Sequence, residues 1–212
     1  MRFFYSVAAL GLATALTGCV EPSPTFNSQM RYTNPNYTIV ESEKNIEIRS
    51  YRPLWVAEIT EQGDRETAMR RGFQDLNAYF RGDNEAQQII PMTRPVVEFP
   101  VAGGGLEDLP AVDNQVWVVR FFLPVELTPD TTPQPNNANI RIVQTSPMRV
   151  IAFSYSGPWT DANIHSNEIM LRDYVRNDDI PVVGMPAYAF YDAPSVAPYS
   201  RHNEILMKLA DY

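Results

Sequence analysis

Alternation marks the first ordered stretch of the chain: Ile46 and Ile48 are interleaved with Glu47 and Arg49, the period of two that belongs to a half-buried strand. A second β-favouring run, residues 54–60, closes at Gly63. The period then changes. Asp64 stands where an N-cap would, Met69, Phe73, Leu76 and Phe80 recur on one helical face, and Gly82-Asp83-Asn84 supplies a stop, so a helix is predicted between them. Residues 96–101 and 116–123 read as two more strands, the second aligning Trp117, Val119, Phe121 and Leu123 on one side.

The same order is then written again. Ile140 and Ile142 alternate with Arg141 and Val143, and residues 148–155 form a strand that ends before Gly157. Thr160 or Asp161 caps a helix on which Ile164, Leu171 and Val175 repeat the spacing of Met69, Leu76 and Phe80, with Glu168 in place of the aromatic Phe73. Residues 187–191 and 204–209 are the last two strands. Each copy is β-β-α-β-β, repeat one at about 37–124 and repeat two at about 138–210. Eight short strands and two amphipathic helices cannot each bury a stripe alone. The arrangement that buries them all is an α+β domain: a largely closed, antiparallel, barrel-like sheet of eight strands with both helices outside. Gly103-Gly104-Gly105 is no phosphate cradle, because no helix follows it and Glu107 and Asp108 would repel the ligand.

At 212 residues, 44% hydrophobic and 20% charged, the chain has the makings of one good core. A net charge of −8 without clustered Lys or Arg argues against a nucleic-acid partner. The N-terminus adds an address. Arg2 is followed by an apolar run over residues 3–16, too short to span a bilayer as an ordinary helix, which reads as an export signal over residues 1–18. Leu16-Thr17-Gly18-Cys19 resembles the lipobox of bacterial lipoproteins, in which the cysteine is acylated. Cys19 is the only cysteine, so no internal disulfide forms. Acyl chains on Cys19 would hold the domain, residues 37–212, at a membrane through a polar tether, residues 19–36. Val20 after the cysteine, by analogy with Gram-negative lipoproteins, favours the outer membrane facing the periplasm.

Residues 88–101 are extended and punctuated by proline. Pro91 and Pro95 push the residues before them out of the α region, and Val96, Val97 and Phe99 favour a strand. Within this stretch Ile90-Pro91-Met92-Thr93-Arg94-Pro95-Val96 resembles the Ile-x-Met-Thr-x-Pro-Val signature of the SOUL/haem-binding-protein family. Ile46-Glu47-Ile48-Arg49-Ser50-Tyr51 resembles the family's first-strand Tyr-Glu-x-Arg-x-Tyr, Gly72-Phe73 and Leu76 fall in the first helix, and Gly82-Asp83-Asn84-Glu85 is similar to its Gly-x-Asn. Phe121-Phe122-Leu123-Pro124, Tyr191-Asp192-Ala193-Pro194 and Arg201-His202-Asn203-Glu204-Ile205 come after these, like Phe-x-x-Pro, Tyr-x-x-Pro and Arg-x-Asn-Glu-Val. The pieces occur in family order over roughly residues 37–209.

The resemblance implies the gyrase-inhibitor-like barrel and a haem or similar tetrapyrrole ligand. In some animal members a haem-ligating His stands between the Arg and Tyr of the first strand; here that residue is Ser50, which removes axial ligation at that place. Other members hold haem against an apolar surface of the first helix, with basic side chains near the propionates. Carried over by position, Phe73 belongs to that surface and Arg70 partners a propionate, while Asn77 stands where some members have an apolar residue. His202, at the entrance to the last strand, is a third candidate contact; His165 reads as a solvated flank residue and Met92 as packing. The residues supply neither the three or four ligands of a zinc site nor a His in a setting for a serine triad. The expectation is a lipid-anchored envelope protein that binds a tetrapyrrole or another apolar anionic ligand in a surface groove without catalysis. The alternatives are an envelope protein-interaction module with no small ligand, and a small-molecule hydrolase of the gyrase-inhibitor-like superfamily.

Overall fold

The structure is a computed structural model that describes residues 34–101 and 115–210; the segment read as an export signal, Cys19, nearly all of the expected tether and Gly103-Gly104-Gly105 lie outside the described residues. The elements run β1 (Tyr37–Glu43), β2 (Ile46–Tyr51), β3 (Trp55–Gln62), α1 (Arg65–Phe80), β4 (Val96–Pro100), β5 (Val116–Phe122), β6 (Arg141–Gln144), β7 (Met148–Ser156), α2 (Asp161–Asn177), β8 (Val182–Phe190) and β9 (His202–Leu209). All pair antiparallel in one nine-stranded sheet of order β1-β2-β7-β9-β8-β4-β5-β3-β6.

From β2 to β6 that order is a palindrome. If repeat one is β2-β3-α1-β4-β5 and repeat two is β6-β7-α2-β8-β9, corresponding strands stand at mirrored places about the β8–β4 pair. The first strand of each repeat is given to the other: β2 pairs with β7, with Ile48 opposite Ile151, and β6 pairs with β3, with Ile142 opposite Ala57. Each half therefore completes the other's sheet, and the two repeats form one α+β body.

The ninth strand is β1, which the hydrophobic pattern does not announce because six of its seven residues are exposed. It joins through backbone pairing to β2 after a turn at Lys44, whose φ is +55°. Its start is pinned by Tyr37, whose ring lies 5.1 Å from that of Tyr51 and 4.4 Å from the Arg49 guanidinium. A bulge between Ile39 and Glu41 interrupts this outer strand, a feature that discourages further pairing. β1 and β6 are the two edges and do not pair with each other, so the curled sheet is a half-barrel.

Both helices pack on one face of the sheet. The Asp64 carboxylate accepts from the Thr67 N–H at 2.8 Å and starts α1, and Thr160 caps α2. α1 buries Leu76, Tyr79 and Phe80 against Ile59, Val119 and Phe121; α2 buries Ile164, Leu171 and Val175 against Ile151, Ile205 and Met207. Gly72 sets how closely α1 approaches β5, because a Cβ there would stand 2.6 Å from Val119 Cγ2. The other face carries neither helix, yet Val56, Val97, Phe122 and Ala189 are buried on it by the curl of the sheet.

Candidate functional site

A groove of about 630 Å³ opens where α1, the signature segment and the β8–β9 connection meet. Its first wall is the helix: Arg65, Met69 and Phe73 recur every four residues on one face, with Arg70 beside them. The second wall is Met92, Thr93, Arg94 and Val96. This segment is held at two points, since the Ile90 N–H donates to Phe80 O at 2.8 Å and Thr93 Oγ1 donates to Phe122 O at 2.6 Å. The turn before it is organised by Asn84, whose amide donates to Tyr79 O and Gln88 O and whose oxygen accepts from the Gln88 N–H. The Arg94–Pro95 peptide is cis.

Trp159 and the connection after β8 form the third wall. Trp159 Nε1 donates to Asn203 Oδ1 at 2.9 Å, and its ring meets Phe190 at 5.7 Å between centroids, inclined by 64°. The Arg201 guanidinium lies 4.0 Å from the Trp159 ring centroid and donates to Val196 O and Pro194 O. The groove thus has an apolar floor of thioether, aromatic and aliphatic groups, with four arginines, Arg65, Arg70, Arg94 and Arg201, and two carboxylates, Glu66 and Asp192, around it. Its volume is that of a small-molecule site.

The sequence pattern of the SOUL heme-binding proteins matches residues 32–208. The chain belongs to the SOUL family. Human heme-binding protein 2 is 29% identical over 162 residues, which are 75% of either chain. The SOUL fold seen here is similar to a solved, uncharacterized conserved protein from Listeria innocua, with a TM-score of 0.62 at 11% identity over 79% of this chain and 93% of that one. It is also similar to a hydrolase from Listeria innocua, with a TM-score of 0.57 at 12% identity over 81% and 94%; at such identities the likeness is one of fold. SOUL membership supports haem or a related tetrapyrrole as the ligand class, and a binding role rather than catalysis. The donor set fits that class: the floor would take a flat apolar macrocycle, and the arginines its carboxylates.

Three of the SOUL motifs converge on one carboxylate. Glu204, from Arg201-His202-Asn203-Glu204-Ile205, accepts from Nη1 and Nη2 of Arg49, the arginine of the first-strand motif, at 2.7 Å each. Tyr191, from Tyr191-Asp192-Ala193-Pro194, donates to it at 2.7 Å, and Ser154 does so at 3.1 Å. These residues hold the curl together rather than lining the groove, apart from Tyr191, which does both.

Of the residues singled out in the sequence, Arg70, Phe73 and Met92 line the groove, with the Phe73 ring 5.5 Å from Phe121. His202 does not: its ring packs edge-on against Tyr191 at 4.5 Å and its Nε2 lies 3.3 Å from Glu204. Ser50 and His165 are also outside it, His165 exposed on α2. Among the described residues no three His, Cys, Asp or Glu side chains are grouped to hold a metal ion. Among the groove residues that the sequence did not announce are Arg65, Glu66, Gln74, Trp159, Phe190 and Arg201. Only Arg201 left a signal, as the first letter of a motif.

Behind the groove lies a second buried pair. Arg65, the first residue of α1, donates from Nη1 to Glu98 Oε1 at 2.5 Å, from Nε to Asp161 Oδ1 at 2.5 Å, and from Nη2 to Trp159 O at 2.6 Å. Asp161 is the first residue of α2, so this one guanidinium ties the starts of both helices to the central strand β4. Glu98 is fully buried, and its Oε2 and the nearby Tyr155 hydroxyl have no hydrogen-bond partner among the described residues. Burial pushes the Glu98 carboxyl up to about 7, against the opposing pull of Arg65.

Proposed function

We propose that this SOUL-family chain is an envelope protein, anchored through acylated Cys19 at the outer membrane and facing the periplasm, that binds haem or a comparable flat anionic ligand in the groove beside α1. The observation that carries the reading is the juxtaposition of Met69, Phe73, Trp159 and Phe190 with Arg70 and Arg201 on one concavity. When bound, haem would bring a redox-active iron. The chain's own part is to bury the macrocycle on aromatic and thioether groups, to pair its carboxylates with guanidinium, and to exclude water from one face. With Ser50 outside the groove and no histidine among the described residues that line it, Met69, Phe73, Trp159 and Phe190 would hold the macrocycle and Arg70 and Arg201 its carboxylates.

Titration of the purified domain with haemin is expected to give a saturable Soret change and quenching of tryptophan fluorescence. Phe73→Ala and Arg70→Ala should each weaken binding by about 5- to 20-fold, in line with the loss of a buried aromatic contact or a charge-assisted hydrogen bond. Saturable binding that ignores both changes would move the ligand elsewhere. Cys19→Ser should release the protein from the membrane fraction or leave it unprocessed; a mutant that stays processed and membrane-bound overturns the anchor.

A further inference from the structure

Arg65 is the one buried member of the four groove arginines, at 8% exposure, and its partner Glu98 is at 0%. Three of its five N–H groups are taken by Glu98, Asp161 and Trp159 O, leaving two for a ligand. The groups facing Glu98 are Arg65 from α1, Asp161 from α2, Tyr155 from β7 and Tyr188 from β8. Both tyrosines stay protonated, because burial raises them well above their ordinary range. Asp161, 74% exposed, keeps its water. Glu98 is therefore the buried acid that must share Arg65 with whatever anion enters the groove.

Charge balance constrains any such anion. Arg65 already answers Glu98 and the exposed Asp161, so an anion seated on it adds a third negative group to one cation, two of the three, Glu98 and the anion, being out of water, an expensive arrangement. A proton on Glu98 removes the excess charge without moving a side chain. We infer that Arg65 is an anion subsite at the inner end of the groove, and that filling it with a carboxylate or sulfonate is coupled to uptake of a proton by Glu98. The buried pair is already poised for this, since burial holds Glu98 at about 7. Linkage makes the effect reciprocal: acidification tightens anion binding, and the anion raises the carboxyl further.

This inference rests on the groove being the ligand site. A suitable probe is pyrenesulfonate, which is flat and apolar and keeps its charge across the neutral range, so any pH dependence belongs to the protein. Its affinity is expected to fall by up to about tenfold per pH unit above neutrality, the slope for one linked proton. Calorimetry of the unmodified chain in two buffers of different ionisation enthalpy should show close to one proton taken up per probe at about pH 8. Glu98→Gln should bind at the tighter level with a flat profile. Affinity independent of pH, or the same slope in Glu98→Gln, overturns the coupling while saturable haemin binding leaves the groove reading intact. If neither haemin nor pyrenesulfonate binds, both fall.

Discussion

Glu204 and Glu98 are each a carboxylate sealed under an arginine, and they titrate in opposite directions. Glu204, on the inner face of the curl and 3% exposed, takes both Nη groups of Arg49 and also accepts from Tyr191, Ser154 and His202. Burial pushes it up, but hydrogen bonds from His202, Arg49 and Tyr191 outweigh burial and hold it at about 2. Glu98, on the helix-facing side, has among the described residues one hydrogen bond, from Arg65, and no partner at Oε2, and burial wins. What separates them is the number of donors that replace water, not the presence of a partner cation. The first carboxylate is a rivet. The second is a proton acceptor placed behind a groove.

Arg49→Ala should have the largest effect, because it strands the Glu204 charge inside the curl. A loss of about 3–5 kcal/mol is expected from urea unfolding at neutral pH, and a loss below about 1 kcal/mol would mean the pair holds nothing together.

Stability should depend on pH with opposite signs at the two sites. Glu204 has a folded pKa below its ordinary 4.5, so its contribution is present above that value and lost as pH falls towards about 2. Glu98 has a folded pKa above 4.5, so the protein gives up stability as pH rises from there through about 7. Each window spans on the order of 3 kcal/mol, at roughly 1.4 kcal/mol per unit. Urea midpoints against pH should therefore flatten on the acid side in Glu204→Gln and on the neutral side in Glu98→Gln; matching profiles in the two variants would dissolve the contrast.

Arg65→Met is the mildest change, since Glu98 can take a proton instead of remaining a bare charge. A loss of about 1–2 kcal/mol at about pH 6, growing as pH rises, is expected by denaturation. A cost as large as that of Arg49→Ala at every pH would show that Glu98 is as firmly ionised as Glu204.

Much of this architecture was legible in the chain. The duplicated β-β-α-β-β order, both helices and the family are as expected, because apolar period and cap chemistry are local properties. β1 was not legible, since an exposed strand held by backbone pairing leaves no apolar stripe. Nor was the exchange of β2 and β6 between the repeats, which needs contacts across about a hundred residues. In the groove, Arg70 and Phe73 could be placed by helical spacing and resemblance, whereas Trp159 and Arg201 meet only after β9 is paired. His202 stands at the entrance to the last strand, yet its side chain stays out of the groove. Strand alternation sends its side chain to the face of Glu204, while its neighbour Asn203 faces Trp159.

By itself the chain of amino acids determined eight of the nine strands, both helices, their duplicated order and the motifs that mark the SOUL family, because those depend on residue type at fixed spacing. Only the tertiary structure decided that Arg49 meets Glu204 and Arg65 meets Glu98. A carboxylate's ionisation is set by the donors and the water around it in space, and strands far apart in sequence supply both.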